Sequence, residues 1–223
     1  SHAAQTEFRS VLLDHLLHQH SAIYQLGGDI LTAPQLGLQW NVTGEEDLWR
    51  SSLWIADDVC ILQADNEDYR LVAASLCSPS QWYLGEKLGQ SLSDIHTPIP
   101  GFSTQLTPKV SRFFSHLKVE HPVQRFNWSV QADQRLLWQD PNESILPAST
   151  DLYWRIERQT IRRLPQTGAI IFTIKVTIHP LDELRKVTGA LARLIAAIDQ
   201  CPPEISRYKD FDRIQLALAK YRS

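Results

Sequence analysis

The stretch Leu152–Ile178, LYWRIERQTIRRLPQTGAIIFTIKVTI, decides how this chain is read. Its first part alternates: Leu152, Trp154 and Ile156 fall on one side, and Tyr153, Arg155, Glu157 and Gln159 on the other. A period of two is the side-chain period of a β-strand. From Gly168 onward, Ile170, Phe172, Ile174, Val176 and Ile178 share one face, and Ile171, Thr173, Lys175 and Thr177 the other. Leu164-Pro165-Gln166-Thr167-Gly168 between them is turn chemistry, so the two segments predict an antiparallel hairpin.

Upstream, Gln124–Gln131 alternates in the same way, with Phe126, Trp128 and Val130 against Arg125, Asn127 and Ser129. Val59–Gln63 and Tyr69–Leu76 are rich in β-formers around Ala64-Asp65-Asn66-Glu67-Asp68 and predict a second hairpin. Helical spacing marks Phe8–Gln19 and Pro108–Val119, the latter with Thr107 placed to cap it. Asp182–Asp199 is predicted as one helix with Leu184, Val187, Leu191, Leu194, Ile195 and Ile198 on its apolar face. Cys201-Pro202-Pro203 stops it, and a last helix is predicted from about Glu204 to Tyr221. Gly, Pro and Asn punctuate Gly27–Gly44, which reads as loop. Together these predict an α+β fold, an antiparallel sheet of about five strands with flanking helices. The expected division is 1–50 as N-terminal helix and loop, 51–180 as core, and 181–223 as C-terminal helices packing on that core.

A chain of 223 residues fits one domain with a helical appendage. With 43% hydrophobic and 21% charged residues it has the make-up of a globular protein, and a net charge of −3 gives no support to a nucleic-acid partner. There is no apolar run of membrane-spanning length and no signal-peptide pattern, so a cytoplasmic protein without a membrane partner is expected. Cys60, Cys77 and Cys201 lack CxxC spacing, which argues against a disulfide framework or a zinc site. Methionine is absent, and the opening Ser1-His2-Ala3-Ala4 resembles a residual purification-tag sequence. Methionines are therefore expected to have dropped out of the sequence, which an intact mass above that of these residues would show.

Two features carry the candidate chemistry. Arg155, Glu157, Arg158, Arg162 and Arg163 crowd one strand, and Arg125 and Asn127 share a face of another. They form either a solvated face with weak ion pairs or a polar pocket. The second feature is Ser75–Phe102, SLCSPSQWYLGEKLGQSLSDIHTPIPGF, which carries Trp82, Glu86, Lys87, Asp94 and His96. Pro98, Pro100 and Gly101 stiffen the chain after His96, between Ile95 and apolar neighbours. Such a histidine is either a hydrogen-bonded core residue or an axial ligand to haem iron. His15 and His18 are a weak metal signal at helical spacing, and the other histidines form no zincin pattern. No GxSxG, Walker A or dinucleotide GxGxxG motif occurs, so hydrolase, ATP and NAD readings lack support.

A set of blocks occurs in order: Pro79-x-x-Trp82, Glu86-Lys87-Leu88-Gly89, Ile95-His96-x-x-Ile99-Pro100-Gly101 and Arg125-x-Asn127-Trp128, then Arg155-x-Glu157-Arg158-Gln159-Thr160-x-x-Arg163-Leu164-Pro165 and AIIFTI at Ala169–Ile174. Over roughly Val59 to Leu181 this resembles the haem-dependent oxidative N-demethylase family. The resemblance implies a PAS-like sheet holding haem b, with His96 as the iron ligand and Lys87, Arg155 and Trp82 beside the cofactor. It also implies catalytic roles for Glu157, Arg125 and Asn127. Glu157 would pair with the ammonium of a small secondary alkylamine such as dimethylamine, and Arg125 would contact dioxygen or a haem propionate. Oxidation of the N-methyl group would give a carbinolamine that collapses to formaldehyde and a primary amine. Three scattered cysteines cannot hold a four-cysteine cluster, so electrons are expected from separate flavin and iron–sulfur reductase proteins. A non-catalytic PAS-like haem-binding sensor or binding module stays open beside the enzyme, as does a fold kept without haem.

Overall fold

A computed structural model describes residues 1–44, 47–66, 68–80, 82–97, 107–138 and 144–222. In chain order they form α1 (His2–Gln19), then β1 (Gln25–Gly27), β2 (Ile30–Ala33) and β3 (Leu38–Asn41), then α2 (Asp47–Ser52), β4 (Asp58–Asp65) and β5 (Asp68–Ser75). The one-turn helices α3 (Leu84–Lys87) and α4 (Leu92–Ile95) precede α5 (Thr107–His116), β6 (Val123–Gln131), β7 (Tyr153–Arg163) and β8 (Ile170–Pro180). The chain ends in α6 (Ala190–Asp199), α7 (Pro203–Tyr208) and α8 (Gln215–Ala219).

The main sheet has five strands in the order β5-β4-β8-β7-β6, and every pairing is antiparallel. Both predicted hairpins are present: β4 pairs with β5, and β7 with β8 in unbroken register from Tyr153 opposite Pro180 to Arg163 opposite Ile170. Strand alternation then sorts two apolar layers. Val59, Ile61, Ala73 and Ile171 face Phe8, Leu12 and Leu16 of α1, together with Trp54. Cys60, Leu62, Ile161 and Ile170 face the other way, onto Leu92 and Ile95 of α4 and Phe114 of α5. Each large side chain buried this way contributes roughly 1.5–3 kcal/mol. The buried Glu7 fixes α1 to the β7–β8 turn by accepting the backbone N–H groups of Gln166 (2.6 Å) and Thr167 (2.8 Å) and the Thr167 hydroxyl (2.6 Å). A third core joins Val130 and Leu152 to Leu191, Leu194, Ile198 and Phe211 of the C-terminal segment.

Three expectations need correction. Gly27–Gly44 is not a loop: β1, β2 and β3 form a three-stranded antiparallel sheet there. Its Gly residues serve the turns, Gly28 (φ 56°) between β1 and β2 and Gly37 (φ 66°) after a 3-10 turn at Pro34–Leu36, while Leu31 and Ala33 are buried. Asp182–Asp199 is not one helix either. A 3-10 turn at Leu181–Lys186 is separated from α6 by Gly189 in the left-handed region (φ 69°), and Val187 turns outward, 57% exposed. The predicted helix from Glu204 to Tyr221 is broken too, between α7 and α8, where Asp210 takes a positive φ and Phe211 is driven into the core to stack on Trp128, centroids 5.6 Å apart. Ser75–Phe102 holds the two helical turns α3 and α4, and its Pro98–Phe102 part lies outside the described residues.

Candidate functional site

The register of the main sheet brings the polar residues together. Arg125, Gln159, Ile174 and Asp58 lie in one row across β6, β7, β8 and β4, and Asn127, Glu157 and Val176 in the next. Residues directly opposite in antiparallel strands share a face. Along β7 that face continues to Ile161, which packs in the cluster of Leu92 and Ile95, the two residues of α4 buried beneath His96. The two features that the sequence offered separately therefore occupy one side of one sheet.

Glu157 is the centre of the polar group. Its Oε2 accepts Asn127 Nδ2 (3.3 Å) and Gln159 Nε2 (3.0 Å), and its Oε1 accepts Arg155 Nε (3.3 Å). The side chain is 17% exposed, whereas that of Arg155 is wholly buried. Arg155 also donates to the carbonyls of Leu136 (2.9 Å) and Ser78 and reaches Gln131 Oε1 at 3.5 Å. Burial lowers its pKa from the usual arginine value, and Glu157 opposes that shift. Behind it, the buried Asp58 accepts the N–H groups of Cys77 (2.6 Å) and Ser78 (3.0 Å). Desolvation raises the Asp58 pKa, against those two N–H groups and Arg155.

Arg125 donates from Nε to Gln159 Oε1 (2.6 Å), with its guanidinium 6.0 Å from the Phe172 ring centre. The residue is exposed by area, yet its head is crowded enough for desolvation to lower its pKa, with Glu157 opposing. Lys209, just past α7, donates to Asn127 Oδ1 (3.1 Å) and the Trp128 carbonyl (2.5 Å) and lies 5.2 Å from the Trp128 ring centre. Desolvation lowers its pKa and Glu157 opposes. Tyr208 is pushed up, first by burial and then by Glu157. The sequence reading missed Lys209 and Tyr208; a Tyr-Lys pair at a helix end carries no local signal of a strand 82 residues away.

His96 caps the C-terminus of α4, half-buried, with Nδ1 2.8 Å from the Leu92 carbonyl. Desolvation lowers its pKa most. The Leu92 carbonyl and Asp68 raise it, and Arg125 and Lys87 lower it further. A neutral imidazole that donates Nδ1–H to a carbonyl is the tautomer with its lone pair on Nε2, the form suited to a metal. Lys87 closes α3, and Trp82 packs against the same apolar cluster as Leu92 and Ile95. The site residues thus fall into an interbonded group (Arg125, Asn127, Arg155 and Glu157) and a helix-side group (Trp82, Lys87 and His96), with Arg125 electrostatically coupled to His96. Among the described residues, surface clefts lie elsewhere, one of about 420 Å³ beside Asp14, His15, His18 and Arg162 and one of about 410 Å³ beside Cys201, Arg207 and Asp212.

A model of the family described as haem-dependent oxidative N-demethylase, alpha subunit-like, matches residues 1–219. The chain belongs to that family. The match runs well beyond the Val59–Leu181 blocks and takes in the C-terminal segment that carries Lys209. The family description implies a haem, and the residues here fit one. His96 offers a neutral, oriented imidazole beside an apolar wall of Leu92, Ile95 and Phe172, and Arg125 offers cationic donors nearby. Among the described residues no group of three or more His, Cys, Asp or Glu could hold a bare metal ion, whereas a haem iron needs only an axial ligand from the protein. Among the described residues no helix is long and apolar enough to cross a membrane.

Proposed function

We propose that this member of the oxidative N-demethylase family carries haem b on His96 and removes a methyl group from a small secondary amine such as dimethylamine. The observation that carries this reading is Glu157, a carboxylate held by three donors on the sheet face against which Leu92 and Ile95 of α4, the helix that His96 caps, are packed. The net reaction consumes the N-methylamine, dioxygen, two electrons and two protons, and yields the demethylated amine, formaldehyde and water. Bound haem supplies the oxygen-activating chemistry. The protein's part is to bind and orient.

An ammonium entering a partly dry site needs a counter-charge, because an unpaired buried charge is costly. Glu157 supplies it. Asn127 and Gln159 donate to Oε2 and Arg155 donates to Oε1, so three donors orient the carboxylate. Arg155 spends its donors inside the protein, which suits a positioning role better than direct contact with a cofactor. The Arg125 charge acts on His96 and is itself opposed by Glu157, and Arg125 is the candidate donor to dioxygen or a haem propionate. Trp82 and Lys87 would line the cofactor's edge on the helix side. Burial pushes the Cys60 thiol up to about 12, leaving it an inert core residue. The electrons would come from separate flavin and iron–sulfur proteins. The sheet order, with the first hairpin β4–β5 laid beside the last strand β8, supports a PAS-like core over residues 51–180. On this division residues 1–50 and 181–223 are its coverings.

The test is reconstitution. Haem-loaded protein should show a Soret band and, with a reductant, dioxygen and dimethylamine, release formaldehyde. Absence of the Soret band after reconstitution would remove the proposal.

A further inference from the structure

Glu157 stands between two carboxamides, and each of them turns its oxygen to a cation. Gln159 donates from Nε2 to Glu157 (3.0 Å) and accepts Arg125 Nε at Oε1 (2.6 Å). Asn127 donates from Nδ2 to Glu157 (3.3 Å) and accepts Lys209 Nζ at Oδ1 (3.1 Å). Arginine and lysine only donate and a carboxylate only accepts, so both amide orientations are dictated by their neighbours. The carboxylate therefore has a cation one amide away on either side, as well as Arg155 in direct contact.

That arrangement is unbalanced for a simple alkylammonium. Among the described residues Arg125, Arg155 and Lys209 face two carboxylates, Glu157 and Asp58, and Asp58 is engaged by the Cys77 and Ser78 N–H groups. A substrate with only a positive charge would meet a carboxylate already matched by cations, and like charges at short range oppose binding. Among the described residues Arg125 uses only Nε in hydrogen bonds, and its two terminal nitrogens have no partner. Lys209 spends two of its three ammonium hydrogens on Asn127 and Trp128. Donors of this kind, on an exposed arginine fork, match a carboxylate.

We propose that Arg125 and Lys209 form a carboxylate subsite beside Glu157, and that the substrate is a zwitterionic N-methyl amino acid. Its ammonium meets Glu157 and its carboxylate, two bonds away, meets the unengaged terminal nitrogens of Arg125, while Lys209 on the other side of Glu157 adds positive charge. The proposal rests on the demethylase reading and names the substrate within it. The balance is unchanged: the N-methyl amino acid, dioxygen, and two electrons with two protons from the reductase give the free amino acid, formaldehyde and water. The N–CH3 carbon is oxidised, and its bond to nitrogen breaks.

A haem propionate could supply the same carboxylate chemistry, so the experiment separates the two sources. Calorimetric titrations of the haem-free and haem-loaded protein use N-methylglycine, N-methylglycinamide (the same shape without the negative charge) and dimethylamine. In the haem-loaded protein N-methylglycine should bind about ten-fold tighter than either of the others, and the margin should shrink to about three-fold or less in Lys209→Gln. A margin present without haem and lost on loading would put the cations on the propionates and overturn the proposal. Dimethylamine binding as tightly as N-methylglycine, and releasing formaldehyde, would overturn it while leaving the demethylase reading in place. If no amine binds and none yields formaldehyde, both fall together.

Discussion

Arg155 is the side chain on which the candidate site leans, and Arg155→Met measures how hard. The guanidinium is wholly buried and bonds Glu157, the Ser78 and Leu136 carbonyls and Gln131. Methionine replaces its stem but none of its donors. Leaving a buried acceptor unpaired costs roughly 1–3 kcal/mol, and breaking a buried ion pair by removing one partner costs roughly 3–5 kcal/mol. Glu157 keeps two amide donors and a little exposure, and the desolvation of Arg155 is relieved, so the net loss should be about 3–4 kcal/mol. That is a large share of the roughly 5–15 kcal/mol that holds a domain. Urea unfolding followed by tryptophan fluorescence reads it directly. With a slope of about 2–3 kcal/mol/M, the midpoint should fall by about 1–2 M. Glu157→Gln keeps an acceptor for Arg155 and should cost only about 1 kcal/mol. A loss below about 1 kcal/mol in Arg155→Met, or a larger loss in Glu157→Gln, would refute the view that Arg155 is the buried support of Glu157.

Two further outcomes follow from the helix side. His96→Ala should abolish or strongly shift the Soret band of the reconstituted protein, while far-UV circular dichroism stays that of the parent; an unchanged Soret band would exclude His96 as the iron ligand. The haem-free protein should lose stability as pH falls below about 6.5, because folding lowers the pKa values of His96 and His15 below the ordinary histidine value of 6.5 and the unfolded chain binds more protons there. That stability is fully present above pH 6.5, and His96→Gln should flatten the decline; an equally steep decline in that variant would place the linkage elsewhere.

Much of the main sheet was legible because alternation is a local property. Arg125/Asn127 and Arg155/Glu157/Gln159 each announced a shared face, and the Pro165–Gly168 turn announced that the last two strands pair. What alternation could not supply was register across the sheet, which sets Asn127 opposite Glu157 and Arg125 opposite Gln159. The polar pocket and the surface network therefore looked alike until the pairing was known. Gly27–Gly44 was misread because short strands with Gly and Pro at their turns resemble loop, and only the burial of Leu31 and Ala33 separates the two. Gly189 and Asp210 break helices that periodicity would have continued, since left-handed backbone leaves no trace in an apolar repeat. Lys209 and Glu7 were invisible for another reason: their partners lie 82 and up to 160 residues away.

The most direct measurement is an amine titration of the haem spectrum in the parent and in Glu157→Gln. The substitution preserves shape and the acceptor for Arg155 while removing the charge that would attract an ammonium. Glu157→Gln should keep the parent's Soret band and lose both the amine-induced spectral change and formaldehyde release. If it titrates and turns over as the parent does, Glu157 is only one more member of an arginine-rich network, and the amine binds elsewhere.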